Sequence, residues 1–270
     1  MAFFDPSKNP PPSGAIDRFI RRFNAVSYGL AVLALYALAA TALGVALVPS
    51  MLLVARWTPP LWHSAAWWRW PALGSLLGGA LFVWGFALLV VIPAYNFVLP
   101  TRLRPFKGGY FTIAAVPWYL HNGLFYLVRF TFLSFVTLTP FGILFLRAMG
   151  MKMGKRPRIS TENISDPCMI TLGDDVAIGG SAHLFCHYGG GGHLVIAPVV
   201  IGSRATIGLK ATVMGDVHIG EGAKILAHTV LLPGTRVGAG EVWGGVPGRP
   251  IPPEEWDAYK EMIRIEGHSA

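Results

Sequence analysis

Residues 201–248 divide without remainder into sixes: IGSRAT, IGLKAT, VMGDVH, IGEGAK, ILAHTV, LLPGTR, VGAGEV and WGGVPG. Each unit opens on a branched or bulky apolar residue: Ile201, Ile207, Val213, Ile219, Ile225, Leu231, Val237 and Trp243. Glycine follows at 202, 208, 220, 238 and 244. A period of six fits neither the 3.6-residue stripe of a helix nor the two-residue alternation of one strand. It fits a parallel β-helix, in which three six-residue faces complete a coil and the leading side chains stack inside a triangular prism. The glycines are expected at turns where a Cβ would be strained.

Two more units, LGDDVA from Leu172 and IGGSAH from Ile178, lead to Leu184, but Leu184 and Ile201 are seventeen residues apart. The register therefore slips within 184–200. The stretch SAHLFCHYGGGGH, Ser181 to His193, runs into the slip, and it carries three of the chain's eight histidines. Downstream, Pro253 to Glu266 reads as a short helix over the open end of the prism, assigning 253–270 to a C-terminal helix and 151–252 to the β-helix.

Upstream the composition changes. Half of the 270 residues (53%) are hydrophobic and 13% are charged, about half the charge of an ordinary soluble domain. Tyr28 to Ala55 and Ala72 to Pro100 are uncharged apolar runs longer than the roughly 20 residues that cross a bilayer. Both are read as transmembrane helices, within 28–108. Trp57, Trp62, Trp67, Trp68 and Trp70 between them suit an aromatic belt. Lys8, Arg18, Arg21 and Arg22 precede the first run, and Arg102, Arg104 and Lys107 follow the second. The connection holds only Arg56 and Arg69, so the positive-inside rule places both flanks, including segment 1–27, in the cytoplasm. Residues 109–150 form a membrane-embedded or interfacial helical hairpin, interrupted by Pro117, His121, Arg129 and Pro140. Arg129, amid apolar residues, is a substrate-site candidate or a snorkelling side chain. Lys152, Lys155, Arg156 and Arg158 in MGMKMGKRPRIS mark a second cytoplasmic edge. The expectation is a multi-pass protein of the cell inner (plasma) membrane with its β-helix domain in the cytoplasm and no cleaved signal peptide.

Lys and Arg number 22 against 14 Asp and Glu, a net charge of +8. No basic stripe with interleaved aromatics points to nucleic acid, so the charge suits anionic headgroups. Cys168 and Cys186, the only cysteines, are too few for a disulfide scaffold and fit a reducing compartment.

The repeat and the exit WGGVPGRPI resemble the hexapeptide-repeat acyltransferases, whose fold is a left-handed parallel β-helix. A narrower likeness covers roughly 95–250. It rests on LRAMGMKMGKRPRIS, TLGDDVAIGGSAHLF, IGSRATIGLKATVMGDVHIGEGA and LLPGTRVGAGEVWGGVPGRP, behind apolar helices with TPFGILFLR. It resembles the membrane-anchored C-terminal region of poly-lysine synthase, a nonribosomal peptide synthetase, and its stand-alone relatives. The His-Leu-Phe segment of that family is matched by His183, Leu184 and Phe185. CHYGGGGH at 186–193 departs from the charged residues usual there, which leaves the acceptor open. The resemblance implies a homotrimer with sites at subunit interfaces, acetyl-CoA or another acyl-CoA as donor, and a histidine as general base. It puts the closing turn, Gly245, Pro247 and Arg249 beside Trp243, near the donor's phosphates.

Acyl transfer from a thioester to a hydroxyl or amine needs a base that works near pH 7, a task that suits histidine. It also needs donors for the oxyanion, which backbone N–H groups of a glycine-rich turn can supply. His183, ending a regular unit, is the first candidate for base; His187 is the second, as base, orienting group or acceptor-pocket residue. Gly190 in the tetraglycine would let substrate approach the backbone closely, or belongs to a plain loop. His193 reads as a loop residue, and His218 and His228 as surface positions. Lys210, Arg236 and Arg249 are candidates for CoA phosphates. Cys186 beside His187 points to the opposite face of a strand.

These readings give a membrane-bound acyltransferase acting on a lipid-linked, saccharide or amino-acid-type acceptor, with no metal expected. The alternatives are acyl or aminoacyl transfer from a carrier-protein thioester, a zinc-dependent β-helix enzyme of carbonic-anhydrase type using His183, His187 and His193, and a non-catalytic trimeric scaffold.

Overall fold

The computed structural model describes residues 14–110, 112–190 and 193–266. Lys8, with the start of segment 1–27, and Gly191 and Gly192 of the tetraglycine lie outside the described residues, as does the Arg21 side chain. The chain divides into two compact units: a helical one, Pro10–Arg102 with Tyr110–Val136, and a coiled one, Leu103–Gly109 with Thr137–Ala270.

In the helical unit, α1 (Ala15–Arg22) leads into α2 (Asn24–Trp62) and α3 (Arg69–Val98), which pack along each other. Both are long and apolar enough to cross a membrane. At about 1.5 Å per residue they exceed the roughly 30 Å hydrocarbon core. They are apolar on every face: Leu33, Leu52 and Val90 are 65, 66 and 70% exposed, which suits a solvent of lipid chains. Ser50 Oγ, buried between them, donates to the Ala80 carbonyl at 2.9 Å. α2 runs past Ala55 to Trp62, so Trp57 and Trp62 sit on its last turns. The Trp62 ring meets Trp70 edge-on at 6.0 Å.

α4 (Val116–Arg129) and α5 (Leu133–Val136) complete this unit. Phe132 packs edge-on against Phe82 and Phe86 of α3 at 5.9 and 5.4 Å. Buried His121 places Nδ1 2.8 Å from Asn96 Oδ1. Arg129, the last residue of α4, stacks over Tyr126 and Phe130 at 5.2 and 5.1 Å. The stretch 109–150, expected as one hairpin, is divided: α4 and α5 belong to the helical unit, and α6 (Pro140–Ala148) belongs to the coiled one.

The coiled unit opens with β1 (Phe106–Gly108). Then come β2 (Lys152–Met153), β3 (Arg158–Ile159), β4 (Ile170–Leu172), β5 (Ala177–Ile178), β6 (His183–Leu184), β7 (His187–Gly190), β8 (His193–Ile196) and β9 (Val199–Ile201). The rest are β10 (Thr206–Ile207), β11 (Thr212–Val213), β12 (His218–Ile219), β13 (Lys224–Ile225), β14 (Val230–Leu231), β15 (Arg236–Val237), β16 (Val242–Gly244) and β17 (Arg249–Pro250). Three sheets form the prism walls, in the orders β15-β12-β9-β4-β2, β17-β16-β13-β10-β5-β3 and β14-β11-β6. Parallel neighbours in the regular coils are 18 residues apart, as in Ile207 opposite Ile225 and Ile201 opposite Ile219. That is three units of six. The leading residues from Ile201 to Val237 are buried and stack inside; Trp243, in the last coil, is half-buried. Small residues two positions before the next stack, among them Ala205, Ala211 and Ala223, are fully buried and let the walls converge.

The corners are left-handed in backbone conformation. Asp175, Ser181, Arg204, Lys210, Asp216, Gly222, His228, Gly234 and Gly240 have φ from 54 to 86°, each three residues after a stacked side chain. The glycine that follows the stacked residue serves a different end from the turn conformation expected of it. A Cβ on Gly208 would lie 2.5 Å from the Ala227 backbone nitrogen of the next coil. Its bare Cα permits close coil-to-coil approach. α7 (Pro253–Glu266) follows the antiparallel β16–β17 pair, with Lys224 Nζ 5.8 Å from the Trp256 ring.

Candidate functional site

Two coils break the period, and the breaks meet. In the first, Ile159 lies opposite Ile178 and Met153 opposite Leu172, a spacing of 19. The extra length falls between Ile164 and Ile170. Ile164 still bridges Leu184, and the Ser165 N–H donates to the Leu184 carbonyl at 2.9 Å. Asp166 then adopts φ 55°, and Pro167–Met169 form a single 3-10 turn, closed by the Met169 N–H on the Asp166 carbonyl at 2.8 Å. Aspartate tolerates the left-handed region and proline suits a first helical turn, so SDPC specifies this tuck.

In the second, Leu172 lies opposite Ile201, 29 residues on, eleven more than a regular coil. The surplus is the antiparallel β7–β8 hairpin, with His187 opposite Ile196 and Gly190 opposite His193. The Ala197 N–H closes its base on the Cys186 carbonyl at 2.7 Å, and β1 pairs with its far side. The expected slip is thus a strand excursion, and His193, expected in a loop, opens β8.

From Leu184 the side chains alternate: Leu184 and Cys186 point inward with no exposure, and His183, Phe185 and His187 lie on the outer side, half-buried. His187 Nδ1 comes 2.6 Å from Asp166 Oδ2. The aspartate side chain is fully buried and the histidine side chain is 23% exposed. A carboxylate accepts from Nδ1–H, which fixes the tautomer whose basic lone pair is on Nε2. Such a pair can accept a proton and stabilise the imidazolium that results. Asp166 was not singled out from the sequence; its available signal was an Asp-Pro step in the unit that breaks phase.

His183 shares the neighbourhood without that partner: its ring centroid is 5.6 Å from Phe185, which is 6.1 Å from His187. His183 opposes Thr212, which opposes Val230. Two residues before this row lies a corner that stacks Ser181, Lys210 and His228; the Lys210 N–H donates to Gly180 and the His228 N–H to Leu209. The outer face of β14-β11-β6 therefore runs from the Lys210 corner across His183 and Phe185 to His187. Gly245, φ 91°, continues that corner, its carbonyl accepting from Val230 at 3.1 Å. Trp243 Nε1 donates to Glu241 Oε2 at 2.8 Å, which with the Gly238 amide holds the Glu241 carboxyl below its usual range. Arg249 lies opposite Gly244 on β17, 3.8 Å from Glu255. Arg236 is engaged by Asp216 at 2.7 Å. Arg129 belongs to the helical unit.

Cys186 is sealed in the prism. Burial, then the Asp166 charge, pushes its thiol well above the usual value; the same causes push Cys168 up to about 12. Neither presents a thiolate. His218 is half-buried, with Nδ1 shielded and without a hydrogen-bond partner, and His228 is exposed. Among the described residues no three His, Cys, Asp or Glu side chains gather as a metal site. His187 and His193 occupy opposite ends of the hairpin.

No protein-family model matches the chain. It is similar to the delta-poly-L-ornithine synthetase of Acinetobacter baumannii (strain AB307-0294), 31% identical over 108 residues. The match covers 40% of this chain and 8% of that protein's length. Among solved structures, it is similar to a hexapeptide-repeat acetyltransferase of Vibrio cholerae complexed with acetyl coenzyme A (22% identity, 38% of this chain, 60% of that chain, TM-score 0.35). A galactoside acetyltransferase in complex with coenzyme A gives 18% identity, 49% and 80% coverage and a TM-score of 0.39. Serine acetyltransferase of Neisseria gonorrhoeae gives 16%, 64%, 56% and 0.35. By its own register, the coiled unit of this chain is a hexapeptide-repeat parallel β-helix that carries an aspartate–histidine pair where two coils leave the repeat.

Proposed function

We propose that this chain is a membrane-anchored acyltransferase. His187, oriented by Asp166, takes the proton from a hydroxyl or amine acceptor as it attacks the thioester of acetyl-CoA or another acyl-CoA. The carbonyl carbon passes through a tetrahedral oxyanion, the C–S bond breaks, and the thiolate leaves with the proton returned through the imidazole. The observation that carries this reading is the 2.6 Å contact between a fully buried carboxylate and His187 Nδ1. His183, the first candidate from sequence, becomes a wall of the acceptor site, with Phe185 between the two rings. The donor lies along the Lys210 corner toward Trp243, Gly245 and Arg249, and Gly190 lines the approach to the hairpin. Homotrimer assembly would set a neighbouring prism against this face. α2 and α3 anchor the enzyme as a multi-pass protein of the plasma membrane with the β-helix in the cytoplasm, and a lipid-linked acceptor suits that anchoring.

The test incubates purified full-length protein with radiolabelled acetyl-CoA and membrane extract, with a carrier-protein thioester as a second arm. Label transfer that His187→Ala abolishes and His183→Ala reduces less than tenfold supports the assignment. Unchanged transfer by His187→Ala overturns it.

A further inference from the structure

The helix α6 turns outward the kind of surface that a helix in a folded unit normally hides. Thr139 caps it, its Oγ1 accepting from the Gly142 N–H at 3.5 Å, and Pro140 opens it. Gly142, Phe145, Leu146 and Met149 are buried. The opposite stripe is Phe141, Leu144 and Arg147, with the two apolar side chains 50 and 60% exposed. Leu138, just before the cap, has φ 60° and is 64% exposed, its N–H tied to the Ile159 carbonyl at 3.0 Å. The left-handed region is strained for a leucine, yet here it carries an apolar side chain facing outward. Beside these residues is a groove of about 370 Å³ lined by Leu138, Pro140, Ile143, Leu144, Arg147 and Arg158.

The charge is one-sided. Residues 137–160 contain Arg147, Lys152, Lys155, Arg156 and Arg158 and no Asp or Glu. Asp175 takes Arg156. Arg147 uses one nitrogen on the Gly154 carbonyl at 2.9 Å. Among the described residues neither Arg147 nor Arg158 has a carboxylate in ion-pair contact. Apolar side chains next to two guanidiniums that make no carboxylate contact form a surface complementary to an amphiphile whose anionic group sits directly above hydrocarbon.

We propose that the α6 groove docks the coiled unit onto anionic phospholipid: Leu138, Phe141 and Leu144 enter the acyl boundary while Arg147 and Arg158 hold the lipid phosphate. This rests on the membrane-anchored reading and adds a lipid-selective contact outside the spanning helices. Each basic residue near an anionic surface contributes about 1 kcal/mol, so the pair is worth roughly a 30-fold preference over neutral lipid by the 1.4 kcal/mol per decade rule.

The full chain is reconstituted in nanodiscs of phosphatidylcholine alone or with one third phosphatidylglycerol. A nitroxide is placed at Leu144→Cys, and separately at Leu81→Cys on α3, each with Cys168 replaced by alanine; Cys186, sealed in the prism, stays unlabelled. Spin relaxation by oxygen against a water-soluble nickel chelate reads immersion. The expected result at position 144 is an oxygen-to-nickel ratio at least threefold higher with phosphatidylglycerol, lost in Arg147→Gln/Arg158→Gln. A ratio as low as that of a water-exposed site, a rise equal in neutral discs or in the double variant, or spin–spin broadening from a second copy overturns the proposal. A water-exposed label at position 81 instead overturns the membrane anchoring, so the two failures are separable.

Discussion

Replacing Asp166 by asparagine tests the site at its most specific contact. The substitution keeps shape and removes one negative charge from a position with no solvent exposure. A unit-charge pair with centres about 4 Å apart is worth about 4 kcal/mol at the effective dielectric suited to partly buried groups. The 2.6 Å contact sets that separation, and the 23% exposure of the His187 side chain screens part of it. About 2–3 kcal/mol of imidazolium stabilisation is then lost in the transition state, some 30- to 150-fold in kcat. The amide can also hold the wrong tautomer by donating to Nδ1, which pushes the loss toward the upper end. KM for acetyl-CoA stays within twofold, because Asp166 touches the base and not the donor. Initial rates of thiol release, with membrane extract as acceptor source, give both constants; a thermal melt of the same detergent preparation checks the fold. A kcat within threefold of the parent, at unchanged melting temperature, refutes the dyad and reduces Asp166 to a structural hydrogen-bond acceptor.

Arg249→Ala and Lys210→Ala each raise KM for acetyl-CoA about three- to tenfold with kcat nearly constant, the mark of lost phosphate contacts outside the reacting centre; a pure kcat effect refutes that placement. Gly208→Val forces side-chain carbon toward the backbone of Leu226 and Ala227, costing about 2–3 kcal/mol, whereas Gly222→Ala meets nothing within 4 Å and costs only its left-handed φ of 66°, about 1 kcal/mol. Melting temperatures should rank parent, Gly222→Ala, Gly208→Val. The Cys168 thiol, raised to about 12 in the fold, holds its proton more tightly than in the unfolded chain. The stability linked to it is complete below pH ~9 and falls as pH rises toward 12. Cys168→Ala should lose less melting temperature than the parent between those values, and equal slopes refute the linkage. Deleting His187 to Ala197, eleven residues, returns Ile201 to six positions after Leu184; the variant should keep its β-rich circular dichroism and lose transfer activity, and collapse of the coil refutes the excursion as a separable insert.

How much of this the sequence disclosed follows from which residues repeat. The stacking positions are selected by one requirement, filling a prism of constant width, so Ile201 through Val237 announce themselves. The length and apolarity of α2 and α3 are equally direct. The glycines after the stacked residues were visible, but their reason was not: close approach is a property of the neighbouring coil, 18 residues away, and no local pattern encodes it. The corner conformation falls instead three residues after each stacked side chain, on Arg204 and Lys210 as well as on Asp216 and Gly222, so residue type alone does not mark it. His183 ranked above His187 because it ends a regular unit and opens the His-Leu-Phe segment, and neither signal reports the partner that Asp166 supplies to His187. The division between α5 and α6 depends on which surface each buries, which a continuous apolar stretch conceals.

The position of the Asp166–His187 pair is itself a consequence of the repeat. In a regular coil a side chain has two destinations, the apolar interior or an outer face washed by solvent. Neither can hold an ionised carboxylate dry and hydrogen-bonded, since the interior offers no partner and the face offers water. A third environment requires extra chain. The surplus residues before Ile170 tuck Asp166 beneath the level of the wall, and the eleven-residue excursion of the next coil lays His187 over it. One break alone would leave either the buried carboxylate without the imidazole above it or a surface histidine without its orienting group. Two breaks in adjacent coils, stacked by the same parallel register that aligns every other rung, turn a structural repeat into a place where a proton can be held and passed on.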